Sequence, residues 1–159
     1  MGLVFGSFLG STLLLLFSPR RNQLRVIPEP ALLPPGMPQG KRILIVHDTE
    51  DVADYMADIL QAGFKVAVAY NGISGLQRAL RFRPDVIIAN TTMPGLGGLE
   101  LCNKLKRDSS LQNCRVVICS GLHPPPDKQA ILDRGADEFL PEPFSREQLL
   151  AALQNVLAS

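Results

Sequence analysis

The sequence predicts an α/β domain: a doubly wound, five-stranded parallel sheet of (βα)5 order with helices on both faces. Three observations predict it. From Lys41 onward, short β-branched apolar runs alternate with amphipathic stretches at helical spacing. The runs are nearly continuous in apolar residues, as strands buried on both faces require. And 159 residues with 46% hydrophobic content supply one ordinary core with chain to spare.

The elements follow in order. RILIVH (42–47) reads as the first strand. EDVADYMADILQAG (50–63) follows with Val52, Tyr55, Met56, Ile59 and Leu60 on one helical face; Glu50 and Asp51 suit its positive end, and Gly63 is expected to stop it. KVAVAY, DVIIAN, CRVVICS and DEFL supply four further strands, each followed by an amphipathic stretch: GISGLQRALRF, GLELCNKLKR, DKQAILDRG and SREQLLAALQNVLA. In the last, Ser145 and Gln148 have capping-box spacing. Prolines 124–126 are expected to shorten the fourth helix at its start and to stiffen the loop before it.

Two segments precede the domain, expected at 42–159. Residues 1–17, MGLVFGSFLGSTLLLLF, carry no charge. As a helix they reach about 25 Å, at the short edge of a bilayer core of about 30 Å, so a hydrophobic membrane-anchor helix is expected. A secretory signal is disfavoured because the arginines lie on the wrong side and no A-x-A-like site follows. Arg20, Arg21 and Arg25 would hold the following chain in the cytoplasm, and without the anchor the domain is expected to be cytoplasmic altogether. Gly2, Gly6 and Gly10 repeat every four residues, a spacing that admits helix pairing and hence a homo-oligomer. Residues 18–41 hold Pro19, Pro28, Pro30, Pro34, Pro35 and Pro38 and are expected to form a semi-extended linker of ~70 Å at ~3.1 Å per residue.

Charge excludes one class of partner. Residues 1–41 carry a net +3 and residues 42–159 a net −2, with no clustered Lys/Arg face, so no nucleic acid is expected. Cys102, Cys114 and Cys119 lack zinc-motif spacing and read as reduced core thiols; Cys114 and Cys119, five apart on one strand, point to opposite faces.

In doubly wound sheets, ligands gather at the carboxyl ends of the strands. That rule selects His47, Asp48, Asn90, Ser120, Glu142 and Pro143. The motifs around them, ILIVHDTED, PDVIIANTTMPGLGGLEL, VVICSG and GADEFLPEPF, resemble in order those of the receiver domain of two-component response regulators. The resemblance covers about three quarters of the chain and implies a flavodoxin-like fold.

It also implies phosphoryl transfer to an aspartate at the end of the third strand. That chemistry uses Mg²⁺ held by this aspartate and neighbouring acids, a hydroxyl that follows the phosphoryl group, and a lysine that neutralises it. This sequence departs from that set. Asn90 stands at the phospho-acceptor position and has no anionic oxygen to attack with. His47 replaces one of the paired acids while Asp48 survives, so Mg²⁺ binding is expected to be weak or absent and no other cofactor is implied. Glu142 stands where the lysine would be. Ser120 keeps the hydroxyl and Phe139 the switch-like aromatic, for which loop-capping and core-filling roles are the expected ones. Pro143 is expected to follow a cis peptide bond.

The reading that results is a non-phosphorylatable pseudo-receiver, not an enzyme, acting in signal transduction through a protein partner on its fourth helix, fifth strand and fifth helix. A metal- or pH-sensing centre on His47, Asp48 and Glu142 is the alternative. An atypical phosphorelay receiver using Asp48, Thr91 or Thr92 is a remote third.

Overall fold

The computed structural model describes residues 3–8, 11–18, 23–27 and 33–158. The chain divides into two compact units, 1–34 and 35–159.

The first unit differs from expectation. Leu3–Phe8 (β1), Ser11–Ser18 (β2) and Gln23–Ile27 (β3) form an antiparallel sheet in the order β1-β2-β3, with Leu3 opposite Leu16 and Leu16 opposite Arg25. The anchor helix expected over 1–17 is therefore replaced by two strands, and among the described residues no helix is long and apolar enough to cross a membrane. Hydropathy and length do not separate a helix from two apolar strands, whereas each glycine of the four-residue repeat costs a helix about 1 kcal/mol. The linker expectation also fails in part. Ser18 closes β2, and the proline-free stretch Gln23–Ile27 pairs in the sheet. At the other end, Met37 is buried and the Gly40 N–H donates to the Gly63 carbonyl at 2.8 Å, so residues 35–41 belong to the domain. Gly2, Gly10, Pro19, Arg20, Arg21, Pro28 and Pro30 lie outside the described residues.

The second unit is the expected α/β domain. Its strands are β4 (Arg42–Val46), β5 (Lys65–Ala69), β6 (Val86–Asn90), β7 (Arg115–Ser120) and β8 (Glu138–Pro141). Its helices are α1 (Glu50–Leu60), α2 (Gly72–Phe82), α3 (Gly98–Arg107), α4 (Lys128–Asp133) and α5 (Arg146–Leu157). All five strands run parallel in the order β5-β4-β6-β7-β8, so the order reverses between β4 and β6.

Strand alternation sorts the side chains. Leu44, Val46, Ile87, Ala89, Val116, Ile118 and Phe139 pack with α2, α3 and Ile131 of α4. Ile43, Ile45, Ile88, Val117 and Leu140 point the other way, toward the layer of α1 and α5, and are equally buried. Burial on both faces is what the continuous apolar runs demand.

Local signals set the helix boundaries. Ser145 and Gln148 form the expected capping box on α5. Asp127 caps α4, which is only six residues long behind prolines 124–126. Helix α1 ends at Leu60 with Gln61 in right-handed conformation, so Gly63 is not its left-handed terminator.

Candidate functional site

The β4 and β6 ends meet at the switch point of the sheet, where His47, Asp48 and Asn90 emerge. The approach of α3 requires glycine there: a Cβ on Gly98 would lie 2.3 Å from the Asn90 carbonyl oxygen. Gly98 N–H donates instead to the Thr91 carbonyl at 3.1 Å, and Met93 and Leu96 anchor the intervening loop in the core. The motif around Asn90 thus builds a backbone path that does not depend on the identity of its side chain.

Asn90 donates through Nδ2 to Asp48 Oδ1 at 2.9 Å and to the Thr92 carbonyl at 3.0 Å. Both partners are acceptors only, which fixes the amide with its nitrogen toward them. Two oxygens on which a hard divalent cation would draw are therefore already served by N–H groups.

Glu142 is equally occupied. His47, 1% exposed, accepts the Thr49 N–H on Nδ1 at 3.0 Å and so donates through Nε2 to Glu142 Oε1 at 2.8 Å. This hydrogen bond holds the Glu142 carboxyl below its usual range, against the burial that pushes it up. Asp48 Oδ1 lies 3.6 Å from Nδ1 on the far side of the ring.

A third group joins them that the sequence reading places in the core. Cys119 is fully buried with its thiol beside the Glu142 carboxylate; burial first, then that carboxylate, push the thiol pKa well above its usual value. The donor atoms of His47, Cys119 and Glu142 all lie within 4.8 Å of one another. Alternation explains the cluster: counting from buried neighbours, His47, Asn90, Cys119 and Glu142 share the α1/α5 face of the sheet. The signal was present in the register, which pairs Cys119 with both Asn90 and Leu140.

Ser120 and Phe139 fall on the opposite face. Ser120 is fully buried and its Oγ accepts the Leu122 N–H at 3.2 Å, capping the loop after β7. Phe139 fills the core against α2, α3 and α4. The Glu142–Pro143 peptide is cis as expected, and a second cis bond precedes Pro124. Beside Glu142 opens a cavity of about 420 Å³ lined by Val52, Tyr55, Gly121, Pro143 and Phe144 among others.

A parallel sheet in this order, with its polar residues at the carboxyl ends of β4 and β6, defines a flavodoxin-like fold. Comparison with known proteins makes the class specific. The family model for the response regulator receiver domain matches residues 43–154. The response regulator ArlR of Staphylococcus aureus is 33% identical over 117 residues, which cover 73% of this chain and 52% of ArlR. Among solved structures, a putative response regulator from Chloroflexus aurantiacus superposes with a TM-score of 0.70 at 27% identity, covering 76% of this chain and all of that one. The chemotaxis response regulator CheY4 of Vibrio cholerae gives 0.67 at 29%, over 74% of this chain and 98% of its own. The chain belongs to the response regulator receiver family of two-component signalling. It spans about half the length of the curated relatives it matches.

The Mg²⁺ that the family's chemistry implies does not fit the residues present. Asn90 points N–H groups, not an oxygen, at Asp48 and the Thr92 carbonyl, and an imidazole occupies the neighbouring position.

Proposed function

We propose that this receiver domain is a non-phosphorylatable protein-interaction module in a two-component pathway. The observation that carries the reading is the double hydrogen bond from the Asn90 amide to Asp48 and the Thr92 carbonyl. It replaces a nucleophile and a metal ligand with a donor that satisfies both oxygens from within. Glu142 adds to this, because it offers a carboxylate, already bound to His47, where phosphoryl oxygens would need a cation. On this reading the domain is not an enzyme and binds Mg²⁺ weakly or not at all.

The partner is a protein that docks on α4, β8 and α5. Glu138 of β8 is gripped from both sides of that face, by Lys128 Nζ of α4 at 2.5 Å and by Asn155 Nδ2 of α5 at 2.9 Å. The surface is thus held in one arrangement without a phosphoryl group. Anchoring by a spanning helix is not part of the proposal, since Leu3–Phe8 and Ser11–Ser18 are strands.

The test is incubation of the full chain with Mg²⁺ and acetyl phosphate, read by intact mass. No phosphoprotein is expected; a stable covalent phosphate on Asn90, Asp48, Thr91 or Thr92 overturns the reading.

A further inference from the structure

From the cluster at the ends of β4, β7 and β8, we infer that His47, Cys119 and Glu142 form a binding site for a divalent transition metal of the zinc type. The three donors are an imidazole nitrogen, a sulfur and a carboxylate oxygen, the ligand set that zinc-type ions favour over Mg²⁺ or Ca²⁺. They arrive from three different strand ends, held by the sheet on one side and by α1 and α5 on the other. Asp48, the expected third ligand, is engaged by Asn90 and yields that place to Cys119.

The geometry is close to a metal site already. The donors lie within 4.8 Å of one another, and His47 Nε2 and Glu142 Oε1 are 2.8 Å apart. Around tetrahedral Zn²⁺ such atoms stand roughly 3.3–3.8 Å apart, as bond lengths of about 2.0–2.3 Å require. Small rotations of the Cys119 and Glu142 side chains separate or close these distances.

Without metal the donors carry two protons, one on Nε2, directed at Glu142 Oε1, and one on the Cys119 sulfur. The metal takes their place. The thiol proton leaves to solvent as the Cys119 sulfur–metal bond forms. The imidazole proton moves from Nε2 to Nδ1, and the Asp48 carboxylate, its Oδ1 now 3.6 Å away, must close by several tenths of an ångström to accept it in a carboxylate–histidine–metal arrangement. The Thr49 N–H gives up Nδ1 as its acceptor, one hydrogen bond lost against three metal–ligand bonds formed. Of the three, Glu142 lines the 420 Å³ cavity, the side from which an ion would enter.

The inference is independent of whether Asn90 is inert, because its readout is metal binding and not phosphorylation. The full chain, without a polyhistidine tag, is titrated with Co²⁺ as a spectroscopic stand-in for Zn²⁺. A thiolate-to-cobalt charge-transfer band is expected at one equivalent and is expected to bleach when Zn²⁺ is added. Cys119→Ser abolishes the band, while Cys102→Ser and Cys114→Ser leave it; Glu142→Gln weakens affinity by about tenfold or more. Zinc-edge X-ray absorption on the unmutated protein supplies a measurement that no folding defect of a variant can confound, and one sulfur scatterer is expected. The absence of a cobalt band, its persistence in Cys119→Ser, or a zinc shell without sulfur overturns the inference.

Discussion

Asn90 and Asp48 are joined by a hydrogen bond of 2.9 Å in which the amide donates and the carboxylate accepts. Replacing Asn90 by Asp exchanges that donor for a second anion at the same distance. Asn90→Asp is expected to lower the unfolding free energy in metal-free buffer by about 1–3 kcal/mol. Added Mg²⁺ should recover much of the loss in the variant and leave the unmutated protein unchanged. Urea unfolding with and without Mg²⁺ checks this, and equal stabilisation of both proteins would show that Asp48 is not engaged as described.

Gly98 brings α3 against the end of β6, and any Cβ there meets the Asn90 carbonyl oxygen at 2.3 Å. Gly98→Ala is expected to destabilise the domain by about 1–3 kcal/mol through overpacking. Thermal unfolding reads the effect, and a melting temperature equal to that of the unmutated protein would contradict the close approach.

Asp137 sits half-buried where Lys106 Nζ (2.9 Å), Arg115 Nη1 (3.2 Å) and the Val116 N–H (2.7 Å) converge. Burial pushes its carboxyl up, but the donors, Lys106 foremost, outweigh it and hold the pKa below the usual carboxylate value. A depressed folded-state pKa means that the stabilisation is complete above the unfolded-state value and is lost as pH falls through the folded-state one. Asp137→Asn is therefore expected to destabilise at neutral pH by about 1.5–3 kcal/mol. The gap should narrow as pH drops below about 4. Denaturant midpoints at a series of pH values test this; a pH-independent gap would assign the effect to shape and not to charge.

Lys128 ties α4 to β8 through Glu138 and is itself 56% exposed. Lys128→Ala is expected to cost no more than about 1 kcal/mol globally while speeding amide exchange in α4 and little elsewhere. Hydrogen exchange by mass spectrometry distinguishes this from uniform loosening.

Most of the domain was legible in its residues, for reasons particular elements make plain. Val86–Asn90 and Arg115–Ser120 read as strands because burial on both faces forces nearly continuous apolar runs, and α5 announces its start with Ser145 and Gln148. The site was legible as a list of strand-end residues but not as a geometry. His47 and Glu142 are 95 residues apart, and no spacing rule pairs them. Cys119 escaped because motif spacing looks for neighbouring ligands in the chain, whereas here the sheet register supplies the neighbour. The N-terminal strands were missed for a different reason: in residues 3–18 hydropathy is high all along the segment, so neither a helical nor an alternating period stands out to decide the element.

The grip of Lys128 and Asn155 on Glu138 has a consequence for what such a domain transmits. On the proposed reading, a partner docked on α4, β8 and α5 meets the same surface at every moment. Its response then follows the number of copies present and where they are held. The time constant of that response is set by synthesis and turnover of the chain, not by the lifetime of a chemical mark.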